Sequence, residues 1–568
     1  MTARARPLRV VVTVFALVFL TLGALTACNQ LGRQADQAGT PSIAQEELAR
    51  APAEAAARAR LLSPSLSGVT APGIMARAEP IITPPPRIVD RENYDHRDDN
   101  PVKIVREHPV STFSIDVDTG SYANVRRFLN GGALPRQDAV RIEELINYFD
   151  YDYPAPKDTT VTFSITTEIA PSPWNADRYL LHVGLKGYEQ ARTELPPANL
   201  VFLVDVSGSM QSPDKLDLLK ASLKMLVRQL REEDRISLVV YAGASGVVLE
   251  PTSGREKARI LAALDRLEAG GSTNGAAGIE AAYAMAQQAF IKDGINRVLL
   301  ATDGDFNVGT VNHEALMDLI EAKRKQGITL TALGFGTGNY NDHLMEQLAD
   351  QGNGNYAYID TLKEARKVLV EEMASTLQVI AKDVKIQIEF NPDVVAEYRL
   401  IGYENRMLAR EDFNNDRVDA GEIGAGHTVT ALYELRLVGQ GSPAVDPLRY
   451  QGDEAEAATP QAGELAFLKL RFKQPDADES QLVTRALKVG DIRPALKDAS
   501  DRFRFSAAVA AWGQLLRGGK YTGDFSFAQV HQLAAGARGD DRFGYRGEFL
   551  GLVNLASALD GSEQHAGR

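Results

Sequence analysis

Cysteine is nearly absent from this chain: its 568 residues include one, Cys28. A single thiol excludes an intramolecular disulfide and any thiolate zinc site. Histidine is sparse, with eight residues and no His-Glu-x-x-His spacing, so no histidine-based catalytic metal site is encoded. The two tryptophans, Trp174 and Trp512, stand in surroundings that suggest no binding cage, and both are expected to serve in packing. Beyond the first 27 residues there is no apolar run near 18 residues, which excludes a spanning helix there. Excess positive charge is also missing. The net charge is -13, and because Arg4, Arg6 and Arg9 open the chain with no acid beside them, the remainder is more acidic still. Such a surface repels nucleic acid and anionic headgroups.

What is present is a globular composition, 44% hydrophobic and 24% charged, long enough for several domains. Residues 1–27 run from the arginines into an apolar stretch from Val10 to Leu25 and end Leu25-Thr26-Ala27 before Cys28, the layout of a signal peptide. The Leu-Thr-Ala-Cys ending is similar to the bacterial lipoprotein signal. That resemblance implies cleavage before Cys28, diacylglycerol on its thiol and a cell-envelope location, with Asn29 pointing to the outer membrane, facing the periplasm, in a Gram-negative host. The alternative is an uncleaved anchor with an incidental cysteine.

From Cys28 to residue 100 the chain is rich in Ala, Arg, Pro, Gln and Glu and includes Pro84-Pro85-Pro86. This composition predicts a disordered tether with a reach on the order of 45 Å, within which Ala44 to Leu62 can form a transient helix. Residues 101–195 mix short strands with helical spacing at Tyr122 to Leu129 and Val140 to Phe149, and form a small mixed module. Residues 196–378 alternate apolar strands with amphipathic helices, which predicts a mostly parallel sheet covered on both faces. Residues 379–500 return to alternation and read as a small β-sandwich, and 501–568 as a helical segment punctuated by Gly518-Gly519 and packed on the preceding module.

Asp205-Val206-Ser207-Gly208-Ser209 falls where the first apolar strand of the α/β stretch ends. Side chains two apart in extended chain point the same way, so Asp205, Ser207 and Ser209 can face one point. Two further loops at the same end of the expected sheet supply candidates: Gly270-Gly271-Ser272-Thr273-Asn274 and Thr302-Asp303-Gly304-Asp305. The donors are hard oxygens, two carboxylates and three hydroxyls, a set that suits Mg²⁺ or Mn²⁺ better than zinc or copper and also admits Ca²⁺.

These residues resemble the metal-ion-dependent adhesion site of von Willebrand factor type A domains, a family that includes integrin I domains. The family pattern falls on Asp205, Ser207, Ser209, Thr273 and Asp303. The resemblance implies a Rossmann-like fold, a divalent cation and a partner Glu or Asp as sixth ligand. Phe113 to Asp118, Ser121-Tyr122 and Val140 to Phe149 are similar to the amino-terminal segment of YfbK-like bacterial lipoproteins. In those proteins a lipobox, this segment, a type A domain and a C-terminal domain of unknown function follow in the same order.

The expected function is non-enzymatic: a cell-envelope lipoprotein that binds a protein partner through a cation-bridged carboxylate. A periplasmic scaffold with a fold-stabilising metal and a metal-dependent hydrolase are the alternatives, the latter without an evident general base. Asp116-x-Asp118-x-Gly120 departs from the EF-hand spacing and is expected to be structural. Gly334-x-Gly336-x-Gly338 departs from the nucleotide-loop spacing and is expected to form a tight turn, and Asp305 and Asn307 to finish another.

Overall fold

The structure, a computed structural model, describes residues 91–243, 245–272, 275–304, 313–445 and 463–566, the last five of them by backbone alone. The leader, Cys28, the expected tether as far as residue 90 and its Ala44 to Leu62 segment lie outside the described residues.

Residues 91–100 correct the expected extent of the tether. Asn93 bridges in parallel to Asn341, and the Arg91 and Asn93 N–H groups donate to the Gly338 and Tyr340 carbonyls at 2.9 Å each. Glu92, 7% exposed, accepts two bonds from Arg127 at 3.0 and 2.8 Å and one from the Gly338 N–H at 2.9 Å. The segment is held by backbone bonds and one paired buried carboxylate, so its charged composition gave no sign of order.

In chain order, β1 (Lys103–Ile104) and β2 (Val110–Ser114) lead to helices α1 (Gly120–Asn130) and α2 (Ile142–Asn147) and to the hairpin strands β3 (Phe163–Pro171) and β4 (Tyr179–Gly187). The α/β stretch opens with β5 (Ala198–Asp205), α3 (Leu218–Gln229), β6 (Arg235–Tyr241), β7 (Ser245–Ser253) and α4 (Lys257–Asp265). It continues through α5 (Gly275–Gln288), β8 (Ile295–Thr302), α6 (His313–Arg324), β9 (Thr329–Phe335), α7 (Asp342–Gln351), β10 (Tyr356–Ile359), α8 (Leu362–Arg366) and α9 (Met373–Leu377). Six further strands follow: β11 (Val379–Phe390), β12 (Val395–Ile401), β13 (Gly421–Gly424), β14 (Thr428–Leu437), β15 (Glu464–Lys473) and β16 (Ser480–Lys488). Helices α10 (Asp501–Leu516), α11 (Phe527–Ala535) and α12 (Tyr545–Ala566) complete the order.

The α/β stretch forms a six-stranded sheet in the order β10-β9-β8-β5-β6-β7, parallel except for the antiparallel edge strand β7. Strand β5 is buried throughout, and alternate residues serve opposite faces. Leu200, Phe202 and Val204 pack with α3, α4 and the α8–α9 stretch, whereas Val201 and Leu203 pack with α5 and α6. That two-sided burial explains why the strand sequence is continuously apolar.

The flanking regions correct the expectation of two separate modules at 101–195 and 379–500. One antiparallel sheet runs β1-β12-β14-β4-β3, and in the other β11 pairs with β2, β13 and β15. Each sheet therefore mixes strands from before and after the α/β stretch. Thr428 of β14 stands opposite Lys186 of β4, and Ile386 of β11 opposite Phe113 of β2. The two sheets pack face to face through Leu181, Val183, Tyr433, Ile388 and Leu468. On the other face of the first sheet, Leu180 and Leu432 join a helical core with Phe149 of the amino-terminal segment and Phe503, Trp512 and Phe549. Trp512 is fully buried there, and Trp174 donates its Nε1–H to Glu434 at 2.7 Å, so both tryptophans pack within the framework. The α/β unit is thus an insertion in a framework that its two ends build together. Alternation marked only part of these strands and carried no information on partners, because antiparallel pairing between distant segments follows from tertiary packing. No described helix is long and apolar enough to cross a membrane.

The insertion is tied to the framework by buried ions. Arg126 of α1, 1% exposed, donates to Asp360 at 2.5 and 2.8 Å, to Glu364 at 2.7 Å and to the Tyr148 hydroxyl at 3.0 Å. It also pairs with Glu548 of α12 at 3.3 Å. Arg406 binds Asp350 at 2.8 Å and Asp116 at 3.3 Å, and Arg141 reaches Asp342. Asp118 accepts the Tyr356 N–H at 2.8 Å. The Asp116-x-Asp118 pair is therefore a structural anchor between the two parts.

Candidate metal centre

Strand β5 is the central strand from which the chain first runs to β6 and β7 on one side, and then returns through β8 to fill the other. The crevice at the carboxyl ends of β5 and β8 is a topological switch point, the place where open α/β sheets bind ligands. Asp205 is the last residue of β5, and Asp303 follows the last residue of β8. Both are fully buried.

Asp205 is held from three sides. Its Oδ1 accepts the Ser207 N–H at 2.8 Å, while Oδ2 accepts the Thr302 hydroxyl at 2.9 Å and the Tyr241 hydroxyl at 3.2 Å. Register explains the partners: Asp205 lies beside Tyr241 of β6, and its neighbour Val204 lies beside Ala301 of β8. Ser207 is buried and Ser209 half-buried, with their hydroxyl oxygens 3.0 Å apart. The Gly270 N–H donates to the Val206 carbonyl at 2.7 Å, and the Gly208 N–H to the Gly271 carbonyl at 3.0 Å. These bonds zip the serine loop to the loop preceding α5. Thr273, Asp305 and Asn307 lie outside the described residues.

Burial, and secondarily the charge of Asp303, pushes the Asp205 carboxyl up to about 6 against the opposing bonds from Ser207 and Thr302. A nearby positive charge would favour its ionised form. Asp303 already has one: the Lys215 ammonium donates to its Oδ2 at 2.9 Å and to Asn339 Oδ1 at 3.0 Å, and Asn339 Nδ2 donates to the same Asp303 oxygen at 3.2 Å.

The residues fit a hard divalent cation. The Ser207 and Ser209 hydroxyls share a 3.0 Å hydrogen bond, and two oxygens at that separation can also stand as adjacent ligands of an octahedral ion, roughly 2.9 Å apart for bonds of about 2.0–2.1 Å. Among the described residues no three His, Cys, Asp or Glu side chains cluster as a metal site, and the candidate donors here are two carboxylates and the hydroxyls beside them.

Tyr241, Lys215 and Asn339 were not foreseen as part of the centre, nor was the bond from the Thr302 hydroxyl to Asp205. Gly334-x-Gly336-x-Gly338 marks a close approach in the sequence, but only the structure shows that Lys215 fills it. A β-carbon on Gly334 would stand 2.0 Å from the Tyr340 hydroxyl, and one on Gly336, at φ +75°, would stand 2.3 to 2.7 Å from Cγ, Cε and Cδ of Lys215. The turn expected from these glycines also serves as a seat for two side chains.

The family models match the chain in three blocks: "von Willebrand factor" at residues 88–182, "von Willebrand factor type A domain" at 199–372, and "Uncharacterized protein YfbK, C-terminal" at 375–559. The uncharacterized protein YfbK of Escherichia coli K12 is 52% identical over 472 residues, covering 82% of this chain and 81% of that protein. The chain belongs to the YfbK family. The type A block of this YfbK-family chain contains Asp205, Ser207, Ser209, Thr273 and Asp303. Inter-alpha-trypsin inhibitor heavy chain H3 of Homo sapiens is 23% identical over 303 residues, covering 49% of this chain and 33% of that one. A solved von Willebrand factor type A protein from Catenulispora acidiphila covers 69% of the YfbK-family chain and is itself covered for 89%, at 15% identity and a TM-score of 0.37. The first and third family blocks are the two halves of the framework, and the middle block is the inserted α/β unit.

Proposed function

We propose that the chain is a cell-envelope lipoprotein, acylated at Cys28, whose type A domain holds a divalent cation on Asp205, Ser207, Ser209, Thr273 and Asp303 and uses it to engage a carboxylate of a protein partner. Mg²⁺ is the ion that the ligand chemistry favours. The observation that carries this reading is the pair of serine hydroxyls 3.0 Å apart, beside two buried carboxylates at the switch point of the sheet. Because hydroxyls supply much of the donor set, a cation held there keeps enough positive charge to attract an external anionic oxygen. Asp205 and its bonds from Thr302, Tyr241 and the Ser207 N–H fix where the serine loop stands. The role is binding rather than turnover, as membership in a type A family supports.

In-cell cross-linking read by mass spectrometry tests this. A partner captured by the wild type in Mg²⁺ is expected to be lost in EDTA and with Asp205→Ala. Capture that is indifferent to both rejects the cation-bridged mechanism. Loss of radiolabelled palmitate incorporation in Cys28→Ser checks the anchor separately.

A further inference from the structure

Lys215 stands out because its burial is constructed at several points at once. Its side chain is 8% exposed, and its ammonium is shared between Asp303 Oδ2 at 2.9 Å and Asn339 Oδ1 at 3.0 Å. The residue sits on a π-helical turn, Pro213–Asp217, that precedes α3. Its aliphatic stem lies against the bare Cα of Gly336, where any β-carbon would collide with three of its carbons. Asn339, the residue that shares the ammonium, also donates to Asp303. Its neighbours Gly338 and Tyr340 accept the backbone N–H groups of Arg91 and Asn93. The turn before α3, the loop after β9 and the ligand loop after β8 thus converge on one ammonium group.

We propose that Lys215 is the resident counter-ion of Asp303: it holds the ligand loop in place when no metal is bound, and it lowers divalent-cation affinity by cancelling half of the centre's carboxylate charge. This rests on the cation site proposed above. The physical reasoning has two parts. A buried carboxylate without a counter-charge is unfavourable even when hydrogen-bonded, so two carboxylates buried side by side are poorly held in the absence of metal unless one is neutralised. The same ammonium repels an incoming divalent ion at short range in a site shielded from water, where charges interact more strongly than in solvent. Preassembly without metal is therefore obtained at the expense of affinity, which would let the centre load and unload with ambient cation concentration.

The test uses the full-length chain in detergent, with Lys215→Met, which keeps the length of the stem, and Lys215→Gln, which keeps a hydrogen-bond donor without the charge. Mg²⁺ affinity is measured by calorimetry, thermal midpoints are taken in EDTA and in saturating Mg²⁺, and near-ultraviolet circular dichroism verifies native packing. The expected result is a lower midpoint than wild type in EDTA, a larger rise on adding Mg²⁺, and Mg²⁺ binding about tenfold tighter or more in both variants. Wild-type binding with unchanged or weaker affinity in the variants overturns the role of Lys215 while leaving the metal centre standing. Absence of Mg²⁺ binding in wild type and variants alike overturns both. If Lys215→Met loses native packing, Lys215→Gln alone decides between these outcomes.

Discussion

The candidate metal end of the inserted sheet and the seam that joins the insertion to the framework both bury charge, but by different means. At the metal end, Asp205 and Asp303 are brought together by the register of adjacent parallel strands, and their partners Thr302, Tyr241 and Lys215 all come from within the α/β stretch. At the seam, Arg126 gathers Tyr148, Asp360, Glu364 and Glu548 from segments before, within and after that stretch. The first is a local arrangement with donor capacity left for an ion. The second pairs its ions with one another and acts as a lock.

The largest effect is expected at the lock. Arg126→Met leaves Asp360 and Glu364 buried without their cation and should cost about 3–5 kcal/mol of stability, read by chemical denaturation. Mg²⁺ affinity should be unchanged in the folded fraction, and a loss of both together would dissolve the distinction between the regions. Next comes Gly336→Ala, which combines a positive φ with a β-carbon driven into the Lys215 stem and should cost about 1–3 kcal/mol. Its signature is an altered Mg²⁺-induced thermal shift, with the ion pairs of the seam untouched.

The shallowest effect, spread over several pH units, concerns the framework side. Burial, then the charges of Glu404 and Asp116, pushes Glu143 up to about 8 from the ordinary 4.5. Between those values the folded chain keeps a proton that the unfolded chain releases, so stability falls as pH rises across that window, by about 1.4 kcal/mol per pH unit for one such group. Glu143→Gln should flatten this slope, and denaturation curves at several pH values between 5 and 8 measure it. An unchanged slope would mean that Glu143 is already ionised in the folded chain.

How much was legible varies by residue. Asp205, Ser207, Ser209 and the Thr302-Asp303 loop could be read directly, because strand periodicity placed them at one end of one sheet. Lys215 could not, since a lysine at the start of an amphipathic stretch reads as a solvated residue until the Gly336 seat is seen. Glu92 was hidden for a similar reason: its neighbours are polar, and its burial depends on Arg127 and on the backbone of Gly338. The two framework halves were legible as strands and helices but not as one sandwich.

The sequence by itself determined the α/β character of the insertion, the candidate hard-oxygen donors at the end of β5 and the order of the parts, because periodicity and side-chain chemistry are local properties. Only the tertiary structure decided that the ends of the chain share their sheets, that Arg126 locks three segments together and that Lys215 already neutralises Asp303. Each of those depends on which distant groups come within a few ångströms of one another, a matter settled by packing and by the cost of leaving a buried charge unpaired.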